Sequence, residues 1–290
     1  MREGYCLYSG KLFGENYHLL KDFFDYSDTV QSMQPSRTIR FQKEFEHKIE
    51  FKNVHFTYPG GSDEVLRGIN ASIRKGETVA FVGENGAGKT TLAYLLAGIY
   101  TPTEGVITID GIDYSQINKE DIHCKINYVG QITHKFGLSF DDNVYLGRDK
   151  SKDLTELIHD IGLDDLLSSF PHKREEILGR SFGQIDVSGG EWQKISILRC
   201  FAADKEIYIM DEPTSALDPR AEYKMFEIFK RETVNKTSVL ISHRLGALKT
   251  VDRIFYLERG LIVESGTHDE LLALNGKYAD MFRAQRKWYQ

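Results

Sequence analysis

The chain has 290 residues, 41% hydrophobic and 28% charged, enough for a sizeable core and two lobes. With a formal net charge of −6 no overall basic character advertises nucleic acid; a local basic patch stays open, but the chain reads as an acidic protein with no nucleic-acid partner expected. Cys6, Cys124 and Cys200 are scattered without a C-x-x-C pair, which argues against a disulfide framework or zinc site and for reduced cytosolic thiols.

No run of about eighteen apolar residues is present to span a bilayer. Residues 1–10 lack the apolar centre of a secretion signal. The expected location is the cytosol, or the cytoplasmic face of the cell membrane through partners.

Residues 1–46 differ from the rest. Positions 17–24 (YHLLKDFF) repeat apolar residues at helical spacing, and 27–37 is polar and contains Pro35, which predicts a helix and then a linker. An amphipathic helix packed on the following domain would have the same periodicity. From His47 the pattern becomes strand-like: Ile49, Phe51 and residues 54–56 alternate loosely before a turn at 58–61. Residues 69–73 predict a second strand, and 74–76 turn into an apolar strand over 78–82. That strand enters a glycine-rich loop followed by a helix over 91–97. Further strands are expected over 106–109, 127–129, 206–210, 237–241 and 253–257, with helices over 220–231 and 245–249. Residues 140–201 lack clear strands and read as helical, a separate lobe. Alternating strands and helices predict an α/β fold with a mostly parallel sheet.

The loop Gly83-Glu84-Asn85-Gly86-Ala87-Gly88-Lys89-Thr90 fits G-x-x-x-x-G-K-[ST]. Its glycines let the backbone curl so that successive N–H groups face an anion, and the following helix, from Thr91 on, adds its positive end. Lys89 is expected on the outer phosphates of ATP and the Thr90 hydroxyl on Mg2+, with Asn85, Ala87 and Thr91 among the nucleotide contacts. Downstream, an apolar strand ends in Asp211-Glu212. Asp211 is placed to hold Mg2+ through its water shell. Glu212 is placed to orient or deprotonate the attacking water, although before Pro213 it could instead only cap a loop.

Val187-Ser188-Gly189-Gly190-Glu191 lies shortly before that strand and resembles the LSGGQ signature of ABC-type ATPases. Other loops of that family resemble this chain in the same order. Tyr58 fits the loop that stacks on adenine, Gln131 the Q-loop, residues 215–218 (SALD) the D-loop and His243 the switch histidine. The resemblance covers roughly residue 47 to the C-terminus. It implies a P-loop NTPase core with a mostly parallel sheet, an N-terminal antiparallel β subdomain and an α-helical subdomain over about 135–202. It also implies two domains, 1–46 and 47–290, and a head-to-tail pairing with a second ATP-binding domain. Each ATP then lies between the P-loop of one domain and Ser188, Gly189 and Gly190 of the other. Gln131 would sense Mg2+ and the attacking water, and His243 the γ-phosphate.

Two signature positions depart from the pattern, Val187 for Leu and Glu191 for Gln. Glu191 adds charge near phosphate, but Ser188-x-x-Glu191 is also a capping box, and a Gln would serve the cap equally. Residues 178–184 stand where exporters often carry a TEVGE-like stretch. Residues 136–147, 264–271 and 276–279 resemble the exporter branch, and 17–24 the cytosolic end of a last transmembrane helix. The expectation is the ATP-hydrolysing motor of an exporter, working through a transmembrane domain on a partner or on a missing half of the same chain. An importer motor or a soluble non-transport ABC ATPase is the alternative. A non-hydrolysing paralogue would be expected to lose Lys89 or Glu212, and both are present.

Overall fold

A computed structural model of the chain describes residues 39–286, apart from 42, 147, 149, 151, 180–186, 215–218 and 243–244. The helix expected over 17–24 and the polar stretch to residue 37 lie outside the described residues.

Strand β1 (Lys48–Thr57) buries Ile49, Phe51, Val54 and Phe56; its register shifts between Phe51 and Val54, around the left-handed Asn53. With β2 (Glu64–Arg74), β4 (Glu104–Ile109) and the short β5 (Ile112–Asp113) it forms a four-stranded antiparallel sheet, in the order β2-β1-β4-β5.

The second sheet has six strands in the order β10-β9-β3-β8-β7-β6. They are β3 (Thr78–Gly83), β6 (Ile126–Val129), β7 (Ile207–Asp211), β8 (Thr237–Ile241), β9 (Arg253–Glu258) and β10 (Leu261–Gly266). All pairs are parallel except β9 with β10. Every residue of β7 and β8 is buried, as a sheet covered on both faces requires. Alternation sorts their side chains: Ile207, Ile209, Val239 and Ile241 join the core beneath the antiparallel sheet, while Tyr208, Met210 and Leu240 point the other way.

That opposite face carries the helical lobe, built from α3 (Phe140–Tyr145), α4 (Thr155–Ile161), α5 (Asp164–Ser169) and α6 (Gly189–Phe201). Phe140, Leu157, Trp192 and Leu198 cluster with Tyr208, Met210 and Leu240, so lobe and sheet share one apolar core. Helix α1 (Lys89–Leu96) follows β3, α2 (Lys119–Lys125) precedes β6, and α7 (Pro219–Glu232) joins β7 to β8.

The hairpin β9–β10 is present in the sequence-based reading only as its first strand, over 253–257, without the turn or β10. Its two-residue turn, Arg259-Gly260, has positive φ at both positions (49° and 80°), the geometry that suits the twist of antiparallel strands. The Gly260 carbonyl accepts from the Arg67 N–H at 2.9 Å and its own N–H donates to the Ala87 carbonyl at 3.1 Å. One turn thus ties the antiparallel sheet to the glycine-rich loop.

The segment just before β1, read from sequence as linker, is fastened to this body. Phe41 and Phe45 are buried. The Phe41 N–H donates to Asp121 (2.8 Å), that of Phe45 to Glu206 (2.6 Å), and those of Glu46, His47 and Lys48 to Asp110 (2.7–3.0 Å). Lys125 bridges the Glu206 carboxylate and the Lys43 carbonyl, both at 2.7 Å. The compact body accordingly begins at Arg40. Phe45→Ala should cost about 3–5 kcal/mol in urea denaturation, as for other fully buried aromatics; a loss below about 1 kcal/mol would mean that this segment lies outside the core.

Candidate functional site

The loop from Gly83 to Gly88 lies pressed between two strands, and its glycines make that possible. Gly83 has φ 141°, and a Cβ there would collide with the Leu257 carbonyl of β9. Gly88 has φ 103°, and a Cβ there would stand 2.6 Å from Leu66 Cδ2 of β2. Gly88 is also the N-cap of α1 and supplies no capping side chain. The first-turn N–H groups of that helix are thereby left for a ligand.

Lys89 opens α1 and is buried. Its ammonium donates to the Gly83 carbonyl (3.0 Å) and the Glu84 carbonyl (2.9 Å), stretching back over the loop. Burial lowers its pKa, against the opposing pull of the Glu212 and Asp211 carboxylates. Asp211 ends β7 at 1% exposure. Burial raises its pKa above the ordinary carboxylate range, a hydrogen bond from Thr90 opposes the rise, and the Glu212 charge adds to it. The Tyr128 hydroxyl donates to Asp211 Oδ2 at 3.3 Å.

Glu212 follows at φ 48°, a left-handed conformation that costs a non-glycine residue about 1 kcal/mol or more. Its N–H is held by the Ile241 carbonyl at 2.9 Å. Gln131, at the end of β6, donates from Nε2 to Glu212 Oε2 at 3.2 Å. The result is a cleft of about 340 Å³ lined by Asn85, Lys89, Thr90, Gln131, Glu212 and, on its apolar side, Val65. Sequence reasoning missed Val65, an unremarkable apolar residue of β2, and gave Tyr128 no role although it stands three residues before Gln131.

Tyr58 does not line this cleft but bonds to Thr91, which does. Its hydroxyl pairs with Thr91 Oγ1 at 2.9 Å, and its ring meets Phe56 and Tyr100 edge-on, with centroids 4.9 and 5.3 Å apart. Ser188, Gly189 and Gly190 line no part of the cleft. They form the exposed start of α6, where a Cβ added to Gly189 would meet nothing within 4 Å. The capping box is formed: Ser188 Oγ accepts from the Glu191 N–H (3.3 Å) and Glu191 Oε2 from the Ser188 N–H (2.8 Å). His243 and the 215–218 loop lie outside the described residues.

Thr90 and Asp211 offer hard oxygen donors side by side, which suits Mg2+. Among the described residues no group of three His, Cys, Asp or Glu side chains could hold a metal alone. An ion bound here would take its remaining ligands from phosphate and water, the usual habit of Mg2+.

The cap makes Glu191 testable. Glu191→Ala should destabilise the chain by about 1 kcal/mol in urea, whereas Glu191→Gln should keep the cap. Turnover of the Gln variant should stay within about tenfold of the parent; a larger rise would show that the Glu191 charge, and not its cap, governs the site.

A family model described as ABC transporter matches residues 66–215. The chain is 38% identical over 240 residues to Subtilin transport ATP-binding protein SpaT of Bacillus subtilis, covering 81% of this chain and 39% of that protein. It is equally similar, 38% over 240 residues, to the ATP-dependent lipid A-core flippase of Alkalilimnicola ehrlichii, covering 82% and 40%. A solved structure described as a bacterial Atm1-family ABC exporter with ATP bound matches with a TM-score of 0.77 at 30% identity, over 87% of this chain and 43% of that one. The chain therefore spans about two fifths of the length of these relatives.

Proposed function

The chain belongs to the ABC transporter family, and from that premise we propose that it hydrolyses ATP in a head-to-tail pair of such domains and powers export through a transmembrane partner. The observation that carries the reading is the meeting of Lys89, Thr90, Gln131 and Glu212 at one cleft beside the glycine-rich loop, with Asp211 buried next to Glu212.

In this reading the phosphates of ATP lie against the loop N–H groups and the start of α1. Lys89 exchanges its two loop carbonyls for the outer phosphate oxygens, and Tyr58 stacks on the adenine. Thr90 and Asp211 would hold Mg2+ with Gln131 beside them, and the ion would supply positive charge against the phosphates. Glu212 accepts a proton from water as the water oxygen bonds to the γ-phosphorus and the bond to the β–γ bridging oxygen breaks. Gln131 keeps the Glu212 carboxylate turned toward that water.

The exposed start of α6 suits the partner's ATP. Gly189 and Gly190 offer backbone N–H groups at an open helix end, beside Ser188, whose own N–H is taken by Glu191, and His243 would reach the γ-phosphate of its own site. After Gln131 several large apolar side chains are exposed among polar ones: Ile132 is 74% exposed, and Phe136, Leu138 and Ile177 are exposed beside it in sequence or in the pairing of residues 138–139 with 177–178. Exposed apolar groups of this kind suit a docking partner, and the transmembrane domain is the partner assigned to them. The chain would then work at the cytoplasmic face of the membrane. The description of the similar solved structure as an exporter supports the outward direction.

Glu212→Gln should retain ATP binding while hydrolysis falls at least about a hundredfold. It should also elute as a dimer from sizing chromatography at high protein concentration with ATP and Mg2+; a monomer under all such conditions would count against the paired site. Lys89→Ala should lose nucleotide binding, and unchanged affinity would contradict the assignment of the phosphate site.

A further inference from the structure

Tyr128 lies beside the cleft, and the proposed chemistry does not use it. It lies in β6, between the buried Asn127, which bonds the Ala203 carbonyl, and the buried Val129. Its ring packs on Tyr94 of α1, with centroids 5.7 Å apart, and its hydroxyl reaches Asp211 Oδ2. Tyr94 is one helical turn beyond Thr90, so the two share a face of α1. That face therefore reaches Asp211 through the ring of Tyr128, which packs on Tyr94 and carries the hydroxyl to the carboxylate.

The neighbouring glycine makes room for this arrangement. Gly130 does not have positive φ, so its backbone does not demand glycine. A Cβ there would stand 3.1 Å from Tyr128 Cε1 and 3.5 Å from its hydroxyl. Gly130 thus leaves the ring free to lie toward Asp211. Packing alone would be served by phenylalanine; the hydroxyl adds a donor to a carboxylate that water barely reaches.

We propose that Tyr128 is a positioning residue for metal-dependent nucleotide binding, fixing the orientation in which Asp211 meets the Mg2+ that accompanies ATP. The proposal rests on the reading of Asp211 as the Mg2+ carboxylate. Groups that orient a metal ligand typically change metal affinity by about ten- to a hundredfold when removed.

The test is a Mg2+ titration of the full chain with a fluorescent ATP analogue, starting from EDTA, for the parent, Tyr128→Phe and Asp211→Asn, each with a thermal melt. In Tyr128→Phe the affinity in EDTA should stay within about twofold, while the Mg2+ midpoint rises about tenfold. Asp211→Asn should lose the Mg2+ enhancement. A parental midpoint in Tyr128→Phe beside a lost response in Asp211→Asn overturns the positioning role alone. Equal weakening with and without Mg2+ in Tyr128→Phe also overturns it, leaving a packing role. A parental Mg2+ response in Asp211→Asn overturns the reading of Asp211 itself.

Discussion

A carboxylate that water barely reaches must be met by donors, and the arrangement of this chain follows from where Asp211 is put. It closes an apolar strand whose every residue is buried. Its donor comes from another element, Tyr128 in β6, and Thr90 at the start of α1 lies near enough to oppose the rise in its pKa. Satisfying one buried charge therefore holds a helix and a neighbouring strand in register with β7. The next residue, Glu212, is left in a conformation it would avoid in a free chain, held by the Ile241 carbonyl of β8. Strain of that kind persists where the surrounding structure over-determines it.

The parallel sheet explains why these groups meet. Strands β3, β6, β7 and β8 run in one direction, so their carboxyl ends open on one edge. The glycine-rich loop leaves β3 there, Gln131 leaves β6, and Asp211 and Glu212 end β7. Ligands of open α/β sheets bind at that edge. The antiparallel sheet closes the other side through Val65 and Leu66, and the Arg259-Gly260 turn ties it to the loop. The helical lobe shares its core with the sheet. A shift of α6, whose exposed start carries Ser188 and Gly189, must therefore be accommodated by the packing against β7 and β8.

Much of this was legible in the residues. The apolar strands at 78–82, 206–210 and 237–241 fall on β3, β7 and β8, because fully buried parallel strands are continuous apolar runs. The capping box at Ser188 and Glu191 was readable because a cap is a local event with a fixed spacing. What escaped depends on partners distant in sequence. Residues 40–46 look like linker because they are polar between Phe41 and Phe45, yet the N–H groups of Phe41, Phe45 and Glu46 are met by Asp121, Glu206 and Asp110. The hairpin turn at Arg259-Gly260 lacks the Asn or Asp that usually announces it. Tyr128 was hidden for a similar reason: its function lies in a hydroxyl aimed at a residue 83 positions away.

The central claim is that each ATP site is completed by a second copy of the domain. Steady-state phosphate release per chain, measured against chain concentration at saturating ATP and Mg2+, tests it most directly. The account predicts that specific activity rises with concentration and levels off as pairs form, because Ser188 and Gly189 stand apart from their own chain's cleft. Specific activity that is high and constant down to the lowest concentrations, with the chain monomeric throughout, would contradict it.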